Sequence, residues 1–127
     1  MRILIADPDP ATAKALNLLL QHKLEASNIV EVSDLGSLIR ALAEMPPNLL
    51  LLDWRLYGSP APETCVLLRK AYPYLKIILL SVDANDSAAA KGAGAAFIHK
   101  GASPGELIAT LKPFISEENK SQKESNF

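Results

Sequence analysis

One feature constrains the fold more than any other: short apolar bursts alternate with segments of helical periodicity along most of the chain. Ile3-Leu4-Ile5-Ala6, Ile29-Val30-Glu31-Val32, Leu49-Leu50-Leu51-Leu52, Ile77-Ile78-Leu79-Leu80 and Ala95-Ala96-Phe97-Ile98 are the bursts, one of them carrying a charge. Runs this short, without polar alternation, fit strands buried on both faces. Leucine is not a strong strand former, so the strand at 49–52 rests on its length and flanks. Pro46-Pro47-Asn48 precedes it and an acid follows.

The intervening segments read as helices. Residues 10–24 place Ala13, Leu16, Leu19, Leu20 and Leu24 on one stripe, with Asp9 as N-cap and Pro10 in the first turn. Residues 34–45 place Leu35, Leu38, Ile39 and Leu42 together after a capping Asp34, and Pro46 and Pro47 stop the helix. Residues 61–72 carry Cys65, Val66, Leu68 and Ala71 and end at Pro73. The alanine-rich stretch 86–92 ends at glycines that suit a C-cap, and 103–115 carries Leu107, Ile108, Leu111 and Ile115. Strand then helix, five times over, implies an α/β fold: a parallel sheet with helices on both faces. From Ser116 to Phe127 the chain is polar until its last residue and reads as a solvated tail or the start of a linker, which bounds the packed domain at 1–115.

In an open parallel sheet, ligands sit outside the carboxyl ends of the strands. Asp7 and Asp9 follow the first strand, Asp53 the third, Ser81 and Asp83 the fourth, and Lys100 the fifth. An acid after one strand is a common loop or cap residue. Carboxylates, a hydroxyl and an ammonium at four strand ends of one sheet are a different matter, because they meet in a small area. Carboxylate oxygens there form a hard site for Mg²⁺. The lysine and hydroxyl can hold phosphoryl oxygens, and a carboxylate can serve as nucleophile to give an acyl phosphate.

Composition removes other classes. Thirteen basic and fourteen acidic residues give a net charge of -1, against the strongly basic balance of most nucleic-acid binders, so no direct nucleic-acid binding is expected. The single cysteine, Cys65, excludes an internal disulfide and a multi-cysteine zinc site, and its helical stripe makes it a core thiol. No apolar run approaches the roughly 18 residues of a membrane span. The N-terminal segment lacks a signal-peptide layout, and a cytoplasmic location is expected.

The run Ile-Leu-Ile-Ala-Asp7, with Leu-Leu-Leu-Leu-Asp53, Ile-Ile-Leu-Leu-Ser81 and Ala-Gly-Ala-Ala-Phe-Ile-His-Lys100-Gly-Ala-Ser-Pro, resembles the receiver domain of two-component response regulators over residues 1–115. The resemblance implies a CheY-like (βα)5 fold with strand order 2-1-3-4-5. It implies that Asp53 accepts a phosphoryl group from the phosphohistidine of a sensor histidine kinase or phosphotransfer protein. Ser81 and Lys100 would hold that group, and Phe97 would be the switching aromatic. Mg²⁺ would be bound by Asp7, Asp53 and the backbone carbonyl of Arg55, with Asp9 a further candidate. The family further implies a partner surface of fourth helix, fifth strand and fifth helix, a homodimer through that face, and an output domain, of the helix-turn-helix kind, that this chain does not contain.

The sequence departs from the family pattern in three places. Asp7 is followed by Pro8 where the family has a second acid, and Asp9 suits a helix cap, so weakened Mg²⁺ binding is expected. Leu56-Tyr57-Gly58 lacks the proline frequent in that loop. Arg55 and Asp83 stand two residues after Asp53 and Ser81, where a salt bridge would shield the acyl phosphate and tune its lifetime; two solvated charges are the plainer reading. His99 should point away from Lys100 on its strand, and His22 fits a helix end. Two other functional classes stay open beside the phosphoacceptor switch. One is a degenerate receiver that binds partners without phosphorylation because Pro8 has removed a metal ligand. The other is a nucleotide- or flavin-binding enzyme, disfavoured because Asp-Pro-Asp-Pro, not a glycine-rich loop, follows the first strand.

Overall fold

The computed structural model describes residues 1–56 and 60–125. Tyr57 and Gly58 of the loop noted above, and the terminal Phe127, lie outside the described residues. Five strands, β1 (Arg2–Ala6), β2 (Asn28–Val32), β3 (Leu49–Asp53), β4 (Lys76–Ser81) and β5 (Ala96–His99), alternate with helices α1 (Pro10–Leu24), α2 (Leu35–Glu44), α3 (Ala61–Ala71), α4 (Ser87–Gly92) and α5 (Pro104–Ser125). A 3₁₀ turn, Ala84–Asp86, precedes α4. All strand pairs are parallel and the order is β2-β1-β3-β4-β5.

The central strand β3 is leucine four times over, and Leu49 to Leu52 are all wholly buried. Burial on both faces overrides the weak intrinsic strand preference of leucine. Alternation then sorts the sheet's side chains into two cores. Ile3, Ile5, Leu49, Leu51, Ile78 and Leu80 face α1 and α5, where they meet Leu16, Leu20, Leu111 and Ile115. Leu4, Ala6, Leu50, Leu52, Ile77 and Leu79 face Leu38 and Leu42 of α2, Cys65 of α3 and Ala90 of α4. Cys65 is a buried core thiol, and burial pushes its pKa up. Asn48 aligns the strand starts. Its N–H donates to the Arg2 carbonyl (2.9 Å), its side-chain oxygen accepts from Arg2 N–H (2.7 Å), and its carbonyl accepts from Lys76 N–H (3.1 Å).

Helix boundaries follow the predicted caps. Asp9 caps α1 through Ala11 N–H (3.1 Å), and Asp34 caps α2 through Ser37 N–H (2.7 Å). On α2 the expected stripe is narrower than four residues. Leu38 and Leu42 are buried, while Leu35 and Ile39 are exposed, since this short helix covers only the edge of the sheet around Val30 and Val32. The strand β5 starts at Ala96, one residue later than the apolar burst suggests. Gly94 takes φ +81°, its N–H donates to Lys91 O (3.0 Å), and Ala95 N–H donates to Ala90 O (3.0 Å), so Ala95 is spent on capping α4. A side chain at Gly94 would also collide with the Arg69 guanidinium, which donates to Ala93 O at 3.2 Å.

The end of α5 corrects the sequence reading, which stopped the helix at 115. It continues through Ser125, across most of the segment read as a polar tail. Glu117, Glu118, Lys120, Gln122, Lys123 and Glu124 are good helix formers, and a helix already nucleated propagates through such residues at low cost. Among the described residues no helix is long and apolar enough to cross a membrane.

Candidate functional site

The parallel sheet brings the sequence-selected residues to one edge. Asp7 directly follows β1, Asp53 ends β3, Ser81 ends β4, and Lys100 directly follows β5. The ladder holds them in line past the strand ends. Asp7 N–H donates to Val32 O (3.0 Å), Trp54 N–H to Leu80 O (2.8 Å), and Lys100 N–H to Ser81 O (2.8 Å).

Asp7 and Asp53 are almost fully buried, and the Lys100 ammonium lies between them. Its Nζ is 2.8 Å from Asp7 Oδ2 and contacts Asp53 Oδ2. The other oxygens receive backbone donors: Asp7 Oδ1 from Asp9 N–H (2.8 Å) and Asp53 Oδ1 from Arg55 N–H (2.9 Å). Asp53 Oδ2 is buried with the Lys100 ammonium as its sole partner among the described residues. Burial opposes the charge on Lys100. The hydrogen bonds and charges of Asp53 and Asp7 outweigh that cost and hold its pKa above the ordinary lysine value. Among the buried groups, two carboxylates face one ammonium; the further positive charge, the Arg55 guanidinium, is mostly exposed.

Asp9 does not join this cluster. Its Oδ1 accepts from Ala11 N–H, and its Oδ2 accepts from Thr12 Oγ1 at 2.6 Å. The Thr12 bond first, and the Ala11 N–H next, hold its carboxyl below the usual range. The cap reading therefore describes the geometry, and Asp9 spends both oxygens on it. The buried donors for a cation are the carboxylates of Asp7 and Asp53, with a backbone carbonyl such as that of Arg55; each capping oxygen of Asp9 keeps a second lone pair with which it can accept from a metal-bound water. Among the described residues no three acids, histidines or cysteines gather as a metal centre. Two buried carboxylates with hard oxygens still fit Mg²⁺, which keeps several of its waters.

Arg55 and Asp83 do not pair. Arg55 Nε stands 3.8 Å from Asp53 Oδ1, with its side chain 63% exposed, whereas Asp83 Oδ1 accepts from Asn85 N–H (2.9 Å) and caps the 3₁₀ turn. A local backbone donor two residues away wins over a solvated guanidinium across the cleft. Phe97 is half-buried and meets Trp54 edge to face, with ring centroids 6.5 Å apart and planes at 85°. His99 lies on the Phe97 side of β5, and its Nε2 is hydrogen-bonded to Val82 O at 2.9 Å.

Ser81 is buried at the strand end, but its hydroxyl is engaged elsewhere. Oγ donates to Asp86 Oδ2 at 2.6 Å and accepts from Asp83 N–H at 3.1 Å. Asp86 was not singled out from the sequence. The one available signal was an acid just before an alanine-rich helix, which points to a cap, not to a serine five residues back. Also unforeseen is a cavity of about 290 Å³ between α1 and α5, walled by Leu16, Leu19, Ile98 and Leu107 together with Asp7 and Lys100.

The sequence profile described as the response regulator receiver domain matches residues 3–112. The chain belongs to the response regulator receiver domain family. It is 31% identical over 114 residues to the DNA-binding response regulator MtrA of Mycolicibacterium smegmatis, covering 87% of this chain and 49% of that protein. The chain thus spans about half the length of the curated relative it matches. A CheY-like receiver domain protein from Methanospirillum hungatei JF-1 superposes with a TM-score of 0.77 at 26% identity, over 94% of this chain and 97% of that one. The BeF3-activated receiver domain of DrrB, from Thermotoga maritima, superposes with a TM-score of 0.75 at 22% identity, over 91% and 97%, which speaks to the fold alone. Receiver domains are signalling modules that work with histidine kinases and output domains and generally bind Mg²⁺ for phosphorylation. In this chain Asp7, Asp53 and Lys100 form an acid–lysine corner, and Pro8 follows Asp7.

Proposed function

We propose that this receiver domain is a phosphoacceptor switch in which Asp53 takes a phosphoryl group from the phosphohistidine of a kinase or phosphotransfer protein. The P–N bond to the donor imidazole breaks, a P–O bond to the Asp53 carboxylate forms, and the released imidazole takes up a proton. The observation that carries the reading is Asp53 itself: a buried carboxylate at the central strand end, fixed by Arg55 N–H and the Lys100 ammonium, beside Asp7. Transfer of this kind needs positioning and charge neutralisation more than covalent help. Asp7, Asp53 and the Arg55 carbonyl would hold Mg²⁺, which when bound neutralises charge on the phosphoryl oxygens. Lys100, already charged and already between the acids, offers a donor for the incoming group. Ser81 offers a hydroxyl once turned, and Phe97, leaning on Trp54, follows it. Arg55, with Nε 3.8 Å from Asp53 Oδ1, would slow loss of the phosphoryl group to water.

The modified state would alter the α4, β5 and α5 surface, either for a partner or for a second copy of the chain. A charge added at a bistable element is sufficient physics for that change. The test is the intact mass after incubation with Mg²⁺ and acetyl phosphate. One added phosphoryl group, absent in Asp53→Asn, is the expected result; no addition from acetyl phosphate or from a cognate kinase overturns it.

A second reading has its own observation. Pro8 brings no carboxylate, and Asp9 spends both of its oxygens on the α1 cap. A degenerate receiver that binds partners without being phosphorylated would show this same pattern. Pro8→Asp separates the two readings. On the switch reading it tightens Mg²⁺ binding about tenfold, since cation affinity rises with ligand charge, and speeds a modification that the native chain already undergoes. On the degenerate reading it creates a modification that the native chain lacks. A Mg²⁺ titration of Trp54 fluorescence reads the first effect and intact mass the second.

A further inference from the structure

Ser81 has one hydroxyl proton and therefore one bond to give. In this structure it gives that bond to Asp86, at 2.6 Å, a length typical of a charge-assisted O–H···O⁻ contact. Asp83 N–H completes the arrangement by donating to Ser81 Oγ, and Asp86 N–H is itself tied to Asp83 O at 3.1 Å. The hydroxyl is thus held inside a closed loop of residues 81–86. A phosphoryl oxygen on Asp53 can receive the Ser81 proton only if Asp86 gives it up. Asp86 also occupies the position just before α4, yet its carboxylate makes no capping bond to that helix. The side chain that could satisfy the first N–H groups of α4 is spent on Ser81 instead.

From this geometry we infer that Asp86 is a positioning residue that holds Ser81 in the resting orientation and sets how readily the domain switches. The inference rests on the reading of Asp53 as phosphoacceptor. When Ser81 turns to the phosphoryl group, Asp86 loses a donor and its carboxylate is released at the start of α4. Turning costs a hydrogen bond to a charged group, so the resting state is favoured by about a factor of ten or more over a chain without this acceptor. His99 fastens the same loop a second time through Val82 O, but it acts on backbone and does not compete for the Ser81 proton.

The comparison is between wild type, Asp86→Ala and Asp86→Asn, each alone and with Ser81→Ala. In the unmodified protein, amide exchange at Asp83 reads the closed loop directly; it should quicken severalfold in Asp86→Ala. Beryllofluoride with Mg²⁺, titrated by Trp54 fluorescence, reads switching without a covalent step. Asp86→Ala should need about one-tenth of the wild-type concentration, and Asp86→Asn, which keeps a neutral acceptor, should fall between. With Ser81→Ala in the background, removing Asp86 should change neither quantity, which separates positioning from general loosening of the fold. Unchanged Asp83 exchange in Asp86→Ala overturns the inference, as does an unchanged beryllofluoride midpoint in a folded variant. If wild type neither responds to beryllofluoride nor gains mass from acetyl phosphate, the acceptor reading fails first. A quickened Asp83 amide would in that case leave Asp86 a loop fastener, and the switching role would fall.

Discussion

The two sides of the strand-end edge differ in how finished they are. On the side built from β1, β3 and β5, Asp7, Asp53 and Lys100 already touch, and all four carboxylate oxygens have a partner. On the side built from β4, Ser81 is buried at the same edge but its hydroxyl is turned to Asp86. The first side is held by two opposite charges on one ammonium in a water-poor corner. The second is held by hydrogen bonds within a short exposed turn, from Ser81 to Asp86 and from Asp83 N–H to Ser81, where Val82 is 61% exposed. The difference follows from where the partners come from. Lys100 reaches its acids across the sheet, so strand register fixes the contact. Ser81 and Asp86 are neighbours in sequence, so a turn can make or unmake theirs without disturbing a strand. A switch needs both kinds of part: a charge site that is ready, and a reporter that can move.

The contrast breaks most sharply at Lys100. Lys100→Met keeps the aliphatic stem and removes the charge that both acids share. Two buried carboxylates are then left facing one another, and leaving buried charge uncompensated costs about 3 kcal/mol. The urea midpoint should fall accordingly, with an unchanged slope. A variant as stable as the native chain would mean that water reaches this corner and that it is not preassembled. Ser81→Ala is the matching change on the other side. It removes two hydrogen bonds, one to the half-buried Asp86 carboxylate and one from the N–H of exposed Asp83, and water can approach both partners, so the expected loss is about 1 kcal/mol. A loss equal to that of Lys100→Met would erase the distinction between the two sides.

The same distinction governs what could be seen in the sequence. Asp7, Asp53 and Lys100 were legible because each follows an apolar burst, and a parallel sheet must bring such positions to one edge. The fold was legible for a related reason: leucine and isoleucine runs too short for helices leave few alternatives, and strand register does the rest. Asp9 was legible as a cap from its place before Pro10. The Ser81–Asp86 bond was not, because it depends on the rotamer of one hydroxyl within a turn whose residues suit several geometries. Arg55 and Asp83 stayed open for a similar reason. Their spacing allowed either a salt bridge or two solvated charges, and Asp83 has a backbone donor two residues away. Nor was the Asn17–Glu31 bond between α1 and β2, at 2.6 Å, foreseen, since Asn17 falls beside the apolar stripe of its helix. The end of α5 was misplaced because solubility and helix propensity point opposite ways in a Glu- and Lys-rich segment.

The smallest effect is in the pH dependence of stability, and it refines the comparison by sign. Lys100 carries a folded-state pKa above its ordinary value, because Asp53 and Asp7 together outweigh the burial that opposes its charge. A raised lysine pKa means that the folded chain binds the proton more tightly than the unfolded chain. The resulting stability is fully present below the ordinary lysine pKa of about 10.4 and is lost as pH rises through the raised value. Between pH 7 and 9 the group therefore adds no slope, and above about pH 10.5 the native chain should lose stability faster than Lys100→Met, which has no proton to lose there. Ser81→Ala, which touches no titrating lysine, should follow the native alkaline limb in parallel, offset by its constant deficit. Urea midpoints of the three proteins measured from pH 8 to pH 11 make the comparison. If Ser81→Ala flattened that limb as Lys100→Met does, the two sides of the site would be electrostatically one, and the division between a finished corner and a movable one would be wrong.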